Sequence, residues 1–247
     1  MSKNLVLFAD AEVGIEITKY LVENFIEDIS HIVVASDKSK ILKIALSEGL
    51  DCSIYGSQEY NSFISNNEFE YGFLIWWPKI IPKELINQAK NGFINTHPSL
   101  LPFSRGKHYN FWTILEETEF GVTLHYVNEG IDSGDIIYQK KIKYGWLDNG
   151  ETLFNKAKSE MILMFKEFYP FFRENKFTRK SQDLTKGSYH NSTEIDEISK
   201  LDLNKEYLLK NVLNLLRART FDGHPACFFK DPETDKTYEV RISINEK

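Results

Sequence analysis

The chain has 247 residues, 42% of them hydrophobic and 14% aromatic, which suits a folded core burying roughly three quarters of the extended chain's surface and excludes a disordered protein. Thirty basic residues stand against 36 acidic ones, a net charge of −6 at pH 7, with both signs interspersed, so no basic stripe is offered to a polyanion such as tRNA or DNA. The apolar run Leu5–Ala9 is too short for a signal peptide, no run approaches the ~18 residues of a membrane span, and Cys52 and Cys227 stand apart without a CxxC pair, which predicts a soluble cytoplasmic chain with buried thiols.

Short apolar runs rich in β-formers predict strands at Leu5–Ala9, His31–Ala35, Asp51–Tyr55, Phe73–Trp77 and Gly92–Asn95. Helical spacing fills the intervals at Val13–Phe25, Lys38–Glu48, Gln58–Asn66 and Lys83–Lys90, with Pro82 where a first helical turn tolerates proline. This alternation predicts an α/β, Rossmann-like, mostly parallel sheet covered on both faces. Phe120–Val127 and Ile136–Tyr144 follow as two further strands around the turn-rich Asn128–Asp135. Thr152–Phe172 is a long helix with Leu153, Ala157, Met161, Phe165 and Phe168 on one face. Lys176–His190 is polar and aperiodic and reads as a linker; Lys205–Arg219 reads as a helix, and Ala226–Phe229 with Thr237–Ile244 as a β-hairpin. The expected organisation is a catalytic core over residues 1–176, then a linker and small helix-plus-hairpin module over 177–247.

In an open parallel sheet, ligands bind beyond the carboxyl ends of the strands. Asn95 and His97, two residues apart in an extended segment, project from one face. The loop Pro98–Gly106 is expected to lie over that spot, and the turn Asn128–Asp135 to return acids and glycines to the same end of the sheet. Asp132 is then within reach of His97, and the three side chains offer a hydrogen-bond donor, a titratable base and a carboxylate to orient that base. An isolated histidine is more often structural than catalytic; its place between Asn95 and the Ser99-Leu100-Leu101-Pro102 loop reverses that reading for His97. His125, alternating with Thr123 and Val127 in a strand, reads as a hydrogen-bonded structural residue, and Asp135 as a turn stabiliser.

At these residues the sequence resembles the formyltetrahydrofolate-dependent formyltransferases. The likeness rests on Asn95-Thr96-His97-Pro98-Ser99-Leu100-Leu101-Pro102, Arg105-Gly106, Gly121-Val122-Thr123 and Gly130-Ile131-Asp132-Ser133-Gly134-Asp135-Ile136. It implies the formyltransferase fold and transfer of a formyl group from 10-formyltetrahydrofolate to an amine by direct attack through a tetrahedral intermediate, with Asn95, His97 and Asp132 as the catalytic triad. It needs no metal, and the six histidines lack clustered ligand spacing. Family members receive the pterin at the segment corresponding to Trp76–Ile81, which assigns Trp77 and Ile80, with Gly130 and Ile131, to cofactor contacts. Leu216–Phe221 with His224–Ala226, Gly187–His190 and Tyr109–Trp112 resemble elements of the sugar N-formyltransferases.

The acceptor implied is a nucleotide-linked amino sugar, best dTDP-4-amino-4,6-dideoxyglucose, with Lys79, Arg105, Lys107 and Tyr109 as its contacts. The product would feed surface polysaccharide (O-antigen) synthesis, and a homodimer is expected. The rival readings are a glycinamide ribonucleotide formyltransferase, disfavoured by the acidic first loop Asp10–Gly14, and a non-catalytic folate- or nucleotide-binding module. A folate hydrolase is a further alternative, with water in place of the amine. The methionyl-tRNA formyltransferases carry a larger basic C-terminal barrel, which this acidic chain lacks.

Overall fold

In the computed structural model, residues 3–247 are described. The chain opens with β1 (Leu5–Ala9), α1 (Ala11–Phe25), β2 (Ile29–Val34), α2 (Lys40–Ser47), β3 (Cys52–Ile54), α3 (Gln58–Asn66), β4 (Tyr71–Ile75), α4 (Lys83–Ile86) and β5 (Phe93–His97). It continues through β6 (Arg105–Gly106), α5 (Tyr109–Glu116), β7 (Phe120–Tyr126), β8 (Ile136–Ile142), α6 (Gly150–Arg173), β9 (Tyr189–His190), α7 (Glu194–Ile198), α8 (Leu209–Arg219), β10 (Cys227–Lys230) and β11 (Thr237–Val240). Every residue of β1 and β4 is buried, the signature of strands covered on both faces. Ser39 and Ser57 start α2 and α3 by accepting the amides of Ile41 and Tyr60, each cap worth about 1 kcal/mol.

Seven strands form one sheet in the order β3-β2-β1-β4-β5-β7-β8. The pairs from β3 through β5 are parallel and β7 joins β5 antiparallel, so the mostly parallel α/β fold expected from the alternation is the fold observed. The strand order reverses between β1 and β4, one strand away from β5.

Cα packing divides the chain into two compact units. The first runs up to His97 and takes in Val122–Lys140 and Lys158–Gln182; the second comprises Pro98–Gly121, Lys141–Ala157 and Asp183–Lys247.

In the first unit Val6, Phe8, Val33, Leu74 and Phe93 build a core with Tyr60, Ile81 and Leu85. Phe165, Tyr169 and Phe172 of α6 pack around Phe73, with ring centroids 5.1–6.4 Å apart; each fully buried ring contributes about 1.5–3 kcal/mol. Pro170 lies inside α6 and has no N–H for the carbonyl of Lys166. The Tyr20 hydroxyl donates to that carbonyl instead, at 3.2 Å.

Three expectations change here. The helix predicted over Lys83–Lys90 ends at Ile86, because Lys90 and Asn91 donate their amides to Phe69 and Glu70 and are drawn towards a strand edge. The stretch read as a linker pairs: Lys180 exchanges both backbone hydrogen bonds with Ile136, at 2.8 and 2.9 Å, and Tyr189–His190 form β9 against β6. The helix expected from Lys205 begins at Leu209, since Asp202 captures the amides of Asn204 and Lys205 in a local turn.

In the second unit, β6 pairs with β9 and β10 with β11. Gly106 has φ +88°, and a Cβ there would lie 2.3 Å from the His190 carbonyl oxygen, so no other residue fits the β6–β9 pairing. Arg217 donates to the carbonyls of Gly145 and Asp148, both at 2.8 Å.

Candidate active site

β5 ends the parallel half of the sheet, and its alternation sorts three consecutive side chains. Asn95 and His97 share one face. Thr96 points the other way, where its hydroxyl accepts the Trp76 amide at 2.9 Å and donates to the Leu74 carbonyl at 3.1 Å. That double bond ties the end of β4 to β5 and holds Trp76 in the left-handed region, φ +53°.

The register of β7 against β5 sets Asn95 opposite His125 and His97 opposite Thr123. Because β7 runs antiparallel, the loop that follows it leaves beside Ile94 rather than at the carboxyl edge expected from the sequence. It nevertheless delivers Asp132 to the pair. Asp132 Oδ2 lies 3.4 Å from His97 Nδ1, and its Oδ1 accepts from Asn95 Nδ2 at 3.3 Å. The side chains of His97 and Asp132 are 6% and 14% exposed, sheltered enough to strengthen the charge interaction and open enough to admit a reactant.

His125 also belongs to this cluster. Its Nδ1 is 2.8 Å from the Tyr126 carbonyl, which can only accept, so Nδ1 carries the proton and Nε2 of the neutral ring is an acceptor. Asn95 Nδ2 donates to that Nε2 at 3.2 Å, and the same Nε2 lies 3.5 Å from Asp132 Oδ1. The Asn95 amide therefore bridges a histidine and a carboxylate. The signal for His125 was its cross-strand partner, legible only once the pairing of two strands is known.

The Asp132 loop is tightly specified. Asn128 Oδ1 accepts the Gly130 amide at 3.1 Å and the Ser133 hydroxyl at 2.8 Å. A Cβ on Gly134 would lie 1.9 Å from the Tyr126 carbonyl oxygen, which only glycine avoids. Asp132 itself has φ +49°, a conformation aspartate tolerates at some cost and one that clusters at functional sites. Gln182 donates to the carbonyls of Asp132 and Gly134, at 3.0 and 2.7 Å.

Of the residues assigned to the pterin, Gly130 and Ile131 share the Asp132 loop, and Ile131 is exposed. Trp77 packs edge-on against Phe8 and Tyr55, with centroids 5.5 and 5.6 Å apart, and its buried indole N–H has no partner among the described residues. Ile80 is 88% exposed. An unpartnered donor beside aromatic and exposed apolar surface fits a flat heteroaromatic ring carrying acceptors.

Of the residues assigned to the acceptor, Lys79 belongs to the first unit and sits 5.1 Å from the Tyr55 ring centroid. Arg105, Lys107 and Tyr109 belong to the second. There Arg105 donates its amide to Ser188 and Lys107 donates its own to His190. Tyr109 is buried with its ring parallel to that of Phe120, and burial holds its phenol well above the ordinary value. Its hydroxyl has no partner among the described residues.

Residues 27–165 match the formyl transferase family model, a span that includes Asn95, His97, His125 and Asp132. The chain belongs to the formyl transferase family. Residues 194–246 match a second family model, the N-formyltransferase dimerization C-terminal domain.

Among relatives, a methionyl-tRNA formyltransferase of Thermodesulfovibrio yellowstonii is 33% identical over 180 residues, 66% of this chain and 58% of that protein. A dTDP-4-amino-4,6-dideoxyglucose formyltransferase of Mycobacterium tuberculosis is 27% identical over 154 residues, 61% of this chain and 64% of that one. The chain thus spans little more than half the length of the two methionyl-tRNA formyltransferases that it matches over 180 and 171 residues. A 4-N formyltransferase structure from Francisella tularensis superposes with a TM-score of 0.81 at 22% identity, covering 99% of each chain. A sugar N-formyltransferase structure from a Shewanella species does so with a TM-score of 0.79 at 22% identity, covering 98% of each. These likenesses establish a shared fold.

Proposed function

We propose that this protein transfers the formyl group of 10-formyltetrahydrofolate to the amine of a nucleotide-linked amino sugar, dTDP-4-amino-4,6-dideoxyglucose being the acceptor that fits best. The observation that carries the reading is the convergence of Asn95, His97 and Asp132, within 3.3–3.4 Å of one another through the carboxylate, inside the segment that matches the formyl transferase family. The sugar acceptor draws support from the Mycobacterium tuberculosis relative and from similarity over nearly the whole length to a sugar N-formyltransferase structure.

The acceptor nitrogen would bond to the formyl carbon as the bond from that carbon to the folate nitrogen breaks, the proton given up by the amine passing to the departing folate nitrogen, and Trp77, Ile80, Gly130 and Ile131 would hold the folate ring. The protein's own groups then have distinct tasks. With its Nδ1 proton directed at Asp132, His97 presents Nε2 as the basic nitrogen that takes the proton of the attacking amine. Asp132 fixes that tautomer and stabilises the imidazolium that results.

Asn95 makes contacts of 3.2 and 3.3 Å to His125 and Asp132, at the long end of the range for N–H donors. Exchanging one of them for the negative charge developing on the carbonyl oxygen costs little and stabilises that charge by a few kcal/mol. Lys79, Arg105 and Lys107 are assigned to the diphosphate, and Tyr109 to the sugar nucleotide. Residues 1–176 are proposed as the catalytic part and 177–247 as the part that pairs two copies, in a cytoplasmic enzyme serving surface polysaccharide synthesis.

The 33% identity to a methionyl-tRNA formyltransferase favours a second acceptor, the aminoacyl-tRNA, which the net charge of −6 disfavours. An acceptor screen separates the readings. The protein is incubated with 10-formyltetrahydrofolate and, in turn, the dTDP-amino sugar, glycinamide ribonucleotide and methionyl-tRNA, and products are weighed by mass spectrometry. The sugar is expected to gain one formyl group; formylation of the ribonucleotide or the tRNA alone overturns the proposal.

A further inference from the structure

Asp132 is the triad member with the least support from regular structure, sitting in a loop with φ +49°. A carboxylate so placed drifts unless its backbone is held, and the loop's own carbonyls need partners when half-buried. Both needs meet in Gln182, which lies 50 residues later along the chain. Its single amide nitrogen donates one hydrogen to the Asp132 carbonyl at 3.0 Å and the other to the Gly134 carbonyl at 2.7 Å. The side chain is thereby a two-pronged clamp across the turn that carries the carboxylate.

The clamp is itself anchored. Two residues before it, Lys180 is bonded in both directions to Ile136, the first residue of β8. One residue further back, the Arg179 guanidinium lies 3.6 Å from the Tyr126 ring centroid, at the last residue of β7. Arg179, Lys180 and Gln182 thus grip the end of β7, the start of β8 and the loop between them. All of these residues belong to the first unit.

We propose that Gln182 is a positioning residue for formyl transfer, acting through Asp132 by fixing the backbone of residues 132–134. The proposal rests on the reading of Asp132 as catalytic, and its test separates the two. Gln182→Met removes the donor hydrogens while keeping the length of the side chain. Gln182→Glu keeps a carboxamide-shaped acceptor without the amide donors.

With saturating donor and acceptor, each variant is expected to lose about tenfold to a hundredfold in kcat, the range typical of groups that orient a reacting side chain, while the acceptor KM stays within about threefold of wild type. A carboxylate held less firmly near His97 favours its charged form less, so the acid limb of the kcat–pH profile moves to lower pH. In an Asp132→Asn background, Gln182→Met is expected to cost nothing more; a further loss multiplying the first overturns the proposal, as does wild-type kcat in both single variants.

Amide hydrogen exchange supplies a readout independent of turnover. In Gln182→Met, exchange across residues 130–136 is expected to accelerate at least about tenfold with β1 and β4 unchanged. Unchanged protection of that loop overturns the clamp whatever the enzyme formylates. A loosened loop in a protein with no formyl transfer to any acceptor sinks the proposed function instead.

Discussion

Asp28 and Asp132 both sit in polar clusters of the first unit, and the distances around them differ. Asp28 is fully buried; it accepts the Lys3 amide at 2.7 Å and the Tyr169 hydroxyl at 2.8 Å, and pairs with Arg173 Nε at 2.7 Å. Asp132 is partly exposed, and its carboxylate lies 3.3, 3.4 and 3.5 Å from Asn95, His97 and His125. The first cluster is closed around a fully buried carboxylate, its contacts running from 2.7 to 3.2 Å, and it ties the start of β2 to the end of α6. The second holds Asn95, His97, His125 and Asp132 near one another at longer distances. A network whose donors must turn to a reacting group gains from such slack; a network that holds a fold does not.

Four experiments break or sharpen this contrast. The largest expected effect is on turnover. His97→Asn should lower kcat about a thousandfold or more while Tm shifts by no more than about 2 °C, measured by formyl transfer and thermal denaturation. A variant that turns over normally removes His97 from the chemistry.

Asp28→Asn should do the opposite. Stripping the charge from a buried pair costs about 3 kcal/mol, a fall of roughly 6–12 °C in Tm for a chain of this size, with kcat unaltered wherever the protein remains folded. An undiminished Tm would mean that short contacts in the closed cluster carry no more stability than long ones.

Tyr20→Phe is expected to cost about 1 kcal/mol, because the Lys166 carbonyl loses its donor. In a Pro170→Ala background the same change should cost less, since the restored amide can serve that carbonyl; equal losses in a denaturation cycle would rule out the compensation.

The smallest effect lies outside both clusters. Burial pushes the His31 imidazole below its ordinary value of 6.5, with Asp51 opposing. The folded protein therefore binds the proton less readily than the unfolded chain, so His31's contribution to stability declines as pH falls through and below 6.5. His31→Phe should flatten that part of the stability–pH curve; an unchanged slope assigns it to other groups.

The strands and helices of the first half were legible because fully buried strands flanked by amphipathic helices leave a local pattern, and β1, α3 and β7 fall within a residue of the ranges read from sequence. Asn95 and His97 were legible as a pair for the same reason, a two-residue period within one strand. His125 was assigned to hydrogen bonding alone, since nothing in its own strand names the residue opposite. Gln182 was lost in a stretch read as a linker, because a polar, aperiodic segment looks the same whether its amides face water or another strand.

By itself, then, the order of residues determined the alternation of strand and helix, the parallel sheet that follows from it and the side-chain types available for chemistry, all consequences of interactions between near neighbours in the chain. Only the tertiary structure decided that β7 runs antiparallel beside β5, that the Asn95 amide bridges His125 and Asp132, and that Gln182 holds the loop in place. Those choices depend on register between segments tens of residues apart, where one step along a strand exchanges the partner and turns the side chain to the other face.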